Sequence, residues 1–170
     1  MAGQVLAQNP DSANEKRFQT FVSTDFPVTS YGWAIGVDYR TARAFIISGN
    51  VSFNDLADIS EAPPGFLSKF NTPRFRMNAG LGNRHITRRI GFNVNYRWQD
   101  SFVWQSTFGV GEIPAFATLD AQVSFRFPEI KSTVKVGGSN MLNDYYTTSY
   151  GSAQVGGLYY FTWTFDELMN

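Results

Sequence analysis

Leu158-Tyr159-Tyr160-Phe161-Thr162-Trp163-Thr164-Phe165 is the stretch that decides the fold of this chain. Side chains of an extended strand alternate between two faces, so Tyr159, Phe161, Trp163 and Phe165 point one way and Tyr160, Thr162 and Thr164 the other. One face is aromatic throughout and the other polar. A strand whose outer side meets lipid and whose inner side meets water has this composition.

Six further segments repeat the pattern. Tyr31, Trp33, Ile35, Val37 and Tyr39 oppose Gly32, Ala34, Gly36, Asp38 and Arg40. Phe45, Ile47, Gly49, Val51 and Phe53 oppose Ile46, Ser48, Asn50, Ser52 and Asn54, and Phe75, Met77, Ala79 and Leu81 oppose Arg76, Asn78, Gly80 and Gly82. The cleanest case sets Ile90, Phe92, Val94, Tyr96 and Trp98 against Gly91, Asn93, Asn95, Arg97 and Gln99. Ala117 to Phe127 and Thr133 to Ser139 complete the set. No window of similar length favours a helical period.

The charges obey the same alternation. Asp38, Arg76, Arg97, Asp120, Arg126 and Lys135 all fall on polar faces. An Arg or Lys moved to a lipid face near mid-membrane costs roughly 2–4 kcal/mol. The chain of 170 residues has 14 basic and 14 acidic side chains, net charge zero and 16% aromatic residues. Balanced, scattered charge gives no basic stripe, so a nucleic-acid partner is not expected. With no cysteine, disulfides and thiolate metal sites are excluded. Connections alternate too: 40–43, 83–89 and 128–130 are short, whereas 55–72, 101–114 and 140–156 are long. Outer-membrane barrels have short periplasmic turns and long extracellular loops. The three long segments are therefore expected outside, with the last strand finishing at the periplasm. The residues predict an all-β, antiparallel transmembrane β-barrel segment of seven or eight strands, the eighth being Arg17 to Thr24 if it pairs. The alternative with the same alternation is a soluble β-sandwich, whose apolar face would be a core.

Three segments then resemble the C-terminal part of a TonB-dependent outer-membrane receptor of the Bacteroidetes type. Phe70-Asn71-Thr72-Pro73-Arg74-Phe75-Arg76 resembles that family's entry to a late barrel strand. Gly111 to Val123, with Ile113-Pro114 and Asp120-Ala121, resembles the strand that follows, and Val136-Gly137-Gly138-Ser139-Asn140-Met141-Leu142-Asn143-Asp144-Tyr145-Tyr146 the signature before the last strand. The resemblance implies a barrel of about 22 strands filled by a plug, nutrient uptake (siderophore, glycan or peptide) across the bacterial outer membrane, and no enzymatic activity. The implied partners are outer-membrane lipid, the plug and the remaining barrel strands, the energy-coupling TonB protein acting through the plug, and the barrel-assembly machinery. On this reading the chain is a fragment, divided into a lead-in (1–30) with a partial strand, barrel strands (31–165) and a short tail (166–170). A small standalone eight-stranded barrel is the other membrane alternative.

Candidate chemistry is sparse. His85 is the sole histidine, so neither a metal centre nor a catalytic triad can be assembled around it. Carboxylates are dispersed, Gly109-Val110-Gly111 lacks a phosphate-loop context, and no cofactor is expected. Phe66, Tyr145, Tyr146 and Tyr150 lie on long loops, where they would stack on a ligand or sit as girdle residues at headgroup level. Arg76, Arg97, Asp120 and Arg126 are expected to face the lumen, pairing with one another or with the plug. Tyr159, Phe161, Trp163 and Phe165 form the expected C-terminal assembly signal.

Overall fold

A computed structural model describes residues 3–7, 18–22, 26–57, 59, 61–62, 66–106 and 109–165. Twelve strands occur among them. They are β1 (Gly3–Ala7), β2 (Phe18–Val22), β3 (Ser30–Arg40), β4 (Phe45–Leu56), β5 (Phe66–Leu67) and β6 (Phe75–Asn83), followed by β7 (Ile90–Gln99), β8 (Phe102–Gln105), β9 (Val110–Ile113), β10 (Phe116–Phe127), β11 (Ser132–Ser139) and β12 (Leu158–Phe165). Seven of them form one antiparallel sheet in the order β12-β11-β10-β7-β6-β4-β3. These are the seven alternating segments, each within two residues of its sequence boundaries.

Register makes the alternation productive. Residues directly opposite in a ladder share a face. Trp33 faces Phe53, Val51 faces Met77, and Met77 faces Trp98. Leu119 faces Tyr96, Val136 faces Val123 and Phe161. Every apolar set thus lands on the same side of all seven strands, although a slip of one residue in any pair would have inverted a strand. The other side collects Asn50, Asn78, Arg97, Asn95, Asp120, Gln122, Lys135 and Thr162. That polar side is concave. Ser48, Gly80, Asn95, Gln122 and Lys135, from five neighbouring strands, line one hollow of about 510 Å3.

Among the described residues no second sheet covers the apolar face. Among the described residues, Ile113 is the sole buried hydrophobic side chain, while Ile35, Phe161 and Trp163 are about two-thirds exposed (65%, 67% and 66%). A soluble sandwich buries such a face against its partner sheet. The sandwich expectation fails on this point. A contiguous apolar surface of seven strands belongs against lipid.

The short turns are locally determined. Thr41 closes the first through its N–H to the Phe45 carbonyl (2.9 Å) and its Oγ1, which accepts from Phe45 N (3.1 Å). In the second, Asn83 reaches the Arg43 carbonyl (3.0 Å), tying it to the first. The third is a 3₁₀ turn at Pro128–Ile130 that ends on Lys131 in the left-handed region (φ 46°). Gly91, at the start of β7, is buried against the second turn; a Cβ there would lie 2.6 Å from the Arg84 carbonyl oxygen.

Three sequence expectations need correction. Arg17 to Thr24 does contain a strand, but β2 pairs with β1, and β1 with β5, in a separate three-stranded sheet. It does not join the last strand, so among the described residues the closed eight-stranded barrel is not formed and β3 and β12 each have one neighbour. The segment 101–114 is not a plain loop either. It carries the β8–β9 hairpin, whose arms of four residues are too short to show a period. Finally, β4 continues through Asp55 to Leu56, because Ser30 and Tyr31 extend β3 alongside it.

Candidate functional site: the long-loop layer and the polar face

All three long connections leave from one end of the sheet, and the structure staples them together. Asn71 sits in the left-handed region (φ 43°), which asparagine tolerates better than most residues. From there its amide donates to the Gln105 carbonyl (3.0 Å) and accepts from Gln105 N (2.7 Å). The Gln105 side chain in turn accepts from Ser68 Oγ (3.2 Å) and Lys69 N (2.9 Å). Residues 68–71 and β8 of the hairpin are therefore joined by four hydrogen bonds. Asn71→Ala should cost about 1–3 kcal/mol of local stability, from two lost hydrogen bonds and the left-handed backbone. Limited proteolysis checks this: cleavage within 100–115 should accelerate, and Asn71→Gly, which relieves only the backbone, should recover part of the protection.

The last long loop docks on the same hairpin. Tyr146 stacks on Phe116 with ring centroids 4.1 Å apart and 20° between planes. Tyr150 lies over Gly109 and Gly111; a Cβ on Gly111 would fall 2.0 Å from the Tyr150 ring, so the contact requires glycine. Asn140 and Asn143, both left-handed (φ 49° and 55°), shape the turn that launches this loop. Asn143 Oδ1 accepts from Gly157 N (2.7 Å), and Asn140 Nδ2 donates to the Asp144 carbonyl (2.9 Å). Tyr159 Oη donates to the Met141 carbonyl (3.1 Å), linking β12 to the same turn. On the far side, Phe66 meets Phe26 edge-on at 5.0 Å. Arg74 forms an ion pair with Asp55, whose hydrogen bond pushes the guanidinium pKa above its ordinary value.

The four loop aromatics thus have different placements. Phe66 and Tyr146 are half-buried in ring contacts, whereas Tyr145 and Tyr150 are 65% and 52% exposed. Sequence reasoning missed Asn71, Gln105, Asn140 and Asn143. Left-handed asparagines beside a strand end were the signal available, because asparagine is enriched at such positions.

On the polar face, Asp120 is the hub. One carboxylate oxygen takes Arg97 Nη2 at 2.5 Å; the other takes Ser139 Oγ (2.8 Å) and Asn140 N (2.9 Å). β7, β10, β11 and the last loop meet at this one carboxylate. Arg126 does not join them; its Nη1 lies 3.2 Å from His85 Nδ1. Arg76, exposed between Ser52 and Gln99, has no side-chain partner among the described residues. Nearby, Asn78 donates to Asn50 (2.8 Å) and Tyr160 to Gln122 (3.0 Å). Among the described residues no group of three His, Cys, Asp or Glu side chains comes together to hold a metal. This surface offers hydrogen bonds and scattered cations to whatever fills the concave side.

The chain matches no family model and no curated protein sequence. Solved structures do match. The crystal structure of the siderophore receptor PiuA from Acinetobacter baumannii is 10% identical, with a TM-score of 0.57, over 81% of this chain and 22% of the receptor. The ferripyoverdine receptor of the outer membrane of Pseudomonas aeruginosa, solved bound to ferripyoverdine, is 14% identical, with a TM-score of 0.59, over 91% of this chain and 21% of the receptor. The fold is that of a segment of an outer-membrane β-barrel. The chain spans about a fifth of the length of the receptors it matches. Its seven-stranded antiparallel sheet has the architecture of part of such a barrel's wall.

Proposed function

We propose that this chain is the C-terminal barrel portion of a TonB-dependent receptor that takes up a scarce nutrient (a siderophore, glycan or peptide) across the bacterial outer membrane. One observation carries the proposal: seven strands in antiparallel register place every apolar set on one uncovered face, in an arrangement that overlays receptor barrels. The role is transport and recognition rather than catalysis. The short turns lie at the periplasm and the long-loop layer outside, where Tyr145 and Tyr150 are free to meet cargo and Phe66 and Tyr146 brace the loops around them. Arg76, Arg97, Asp120 and Arg126 face the lumen, with Arg76 and Arg126 directed at the plug. Energy coupling runs through that plug to TonB. Tyr159, Phe161, Trp163 and Phe165, 61–67% exposed on the edge strand β12, present the aromatic stripe to the barrel-assembly machinery.

The test is partitioning with and without detergent, together with gel migration of unheated against boiled samples. Detergent dependence without a heat-dependent shift is the expected result for an open piece of wall. A shift from the chain alone would mean that it closes by itself, and a monodisperse water-soluble β protein would overturn the membrane reading.

A further inference from the structure

Charge is distributed unevenly along the strands. At the short-turn end, residues 40–44, 83–89 and 128–131 carry Arg40, Arg43, Arg84, Arg88, Arg89 and Lys131 against Glu129 alone. Glu129 is itself paired with Arg89. Toward the same end of the concave polar side lies the hollow of about 510 Å3 described above. Arg84, Arg126 and Lys135 line it, and no Asp or Glu does.

The sheet builds this hollow from its register. Gly80 and Gly82 put no side chain on the polar face of β6, which leaves the space open. Lys135 stands opposite Ser124 and Arg126 opposite Thr133, so the two cations are diagonal neighbours on one face of the β10–β11 ladder. The second short turn brings in the third cation. Asn83, only 2% exposed, donates to the Arg43 carbonyl and accepts from His85 N (2.8 Å), which fixes the backbone around Arg84. That turn closes over Gly91, where a Cβ would lie 2.6 Å from the Arg84 carbonyl oxygen and 2.9 Å from Ser124 Oγ.

The described residues do not neutralise these three charges. Among them, Arg84 and Lys135 form no ion pair. Arg126 has His85 at 3.2 Å, a neighbour that brings no negative charge. Asp120 is committed to Arg97, Ser139 and Asn140, and Asp38, opposite Ser48 on the edge strand, does not line the hollow. A concave site lined by one sign of charge focuses the field and concentrates counter-ions. Asn93, Gln122 and Ser124 add neutral hydrogen-bond donors. Guanidinium groups present paired N–H donors that match the oxygens of a phosphate or a carboxylate.

We infer that this hollow binds a small, multiply charged oxyanion, its oxygens shared among Arg84, Arg126 and Lys135. The receptor reading gives Arg84 and Lys135 no part, so the site is additional to it.

Single thiols test this, since the chain has no cysteine of its own. Ser124→Cys places one in the hollow. Asn50→Cys places one in the adjoining hollow, where Arg97 and Asp120 offset each other. In outer-membrane fragments from a Gram-negative host, each variant is treated with a sulfonate-bearing and with a trimethylammonium-bearing methanethiosulfonate. The ratio of anionic to cationic rates cancels accessibility, and it should be on the order of tenfold higher at Ser124→Cys than at Asn50→Cys. Adding Lys135→Gln or Arg126→Gln should collapse the difference, and Lys135→Arg should preserve it. Inorganic phosphate or citrate should slow the anionic reagent at Ser124→Cys where sodium chloride of equal ionic strength does not. The stronger protector names the group, phosphate or carboxylate. Equal ratios at the two positions, or protection by chloride as good as by both oxyanions, would overturn the inference. Val94→Cys, on the apolar face, should react with neither reagent. Reaction there would instead overturn the membrane-wall reading, a failure that the polar-face variants do not produce.

Discussion

Val94→Arg should abolish assembly of the sheet into the membrane, whereas Asn95→Arg, one residue away, should leave it nearly intact. Val94 lies at the middle of β7, flanked across the ladders by Leu81 and Ala121, so its side chain is surrounded by the apolar face. Asn95 points to the concave side beside Gly80 and Asp120. A guanidinium at the bilayer midplane costs roughly 2–4 kcal/mol, a large part of the stability of an ordinary domain. On the concave polar side the same group stays hydrated and gains a carboxylate neighbour. The measurement is the membrane-inserted, urea-resistant fraction of the two variants. Equal losses would mean that both faces are buried in protein, and the lipid assignment would fail.

The second large effect belongs to Asp120. Its carboxylate accepts from Arg97, Ser139 and Asn140, holding three adjacent strands and the start of the last loop. Hydrogen bonds to a charged group are each worth about 1.5–3 kcal/mol. Arg97 is half-exposed (53%), so solvent screening reduces its share. Asp120→Ala should therefore cost about 2–4 kcal/mol and release residues 140–157 to protease. Asp120→Asn can still accept from Ser139 and Asn140 and should cost less than half as much. If alanine and asparagine proved equivalent, the Arg97 ion pair would be carrying the whole effect, and the hub description would be wrong.

The three segments that resemble the receptor family have a common physical role. Asn71 in the first locks 66–71 to the hairpin, Asp120 in the second gathers three strands, and Asn140 with Asn143 in the third turns the chain into the last loop. Each fixes a connection at the long-loop end of the sheet, and Asp120 alone ties one directly to the wall strands. None of the three needs a ligand to explain its residue types, since left-handed backbone and a multiply satisfied carboxylate already require them.

Alternation in the sequence determined the seven wall strands, their faces and the division into short and long connections. A strand has a period of two whatever its neighbours are, so that information is local. Arg97 and Asp120 were legible only as two of four polar-face charges expected to pair with one another or with the plug; that these two meet diagonally, Arg97 level with Thr118 and Asp120 with Asn95, came from the register. Tertiary structure alone decided the rest. The β8–β9 hairpin and the β1–β2–β5 sheet involve arms of two to five residues, too short to show a period, and β1 pairs with β5 more than sixty residues away. The placement of Tyr150 on Gly111, or of Asn71 on Gln105, depends on how loops 34 or more residues apart meet above the wall. The edges were decided the same way: periodicity names a strand, but only hydrogen-bonded pairing says which strand is left with one neighbour.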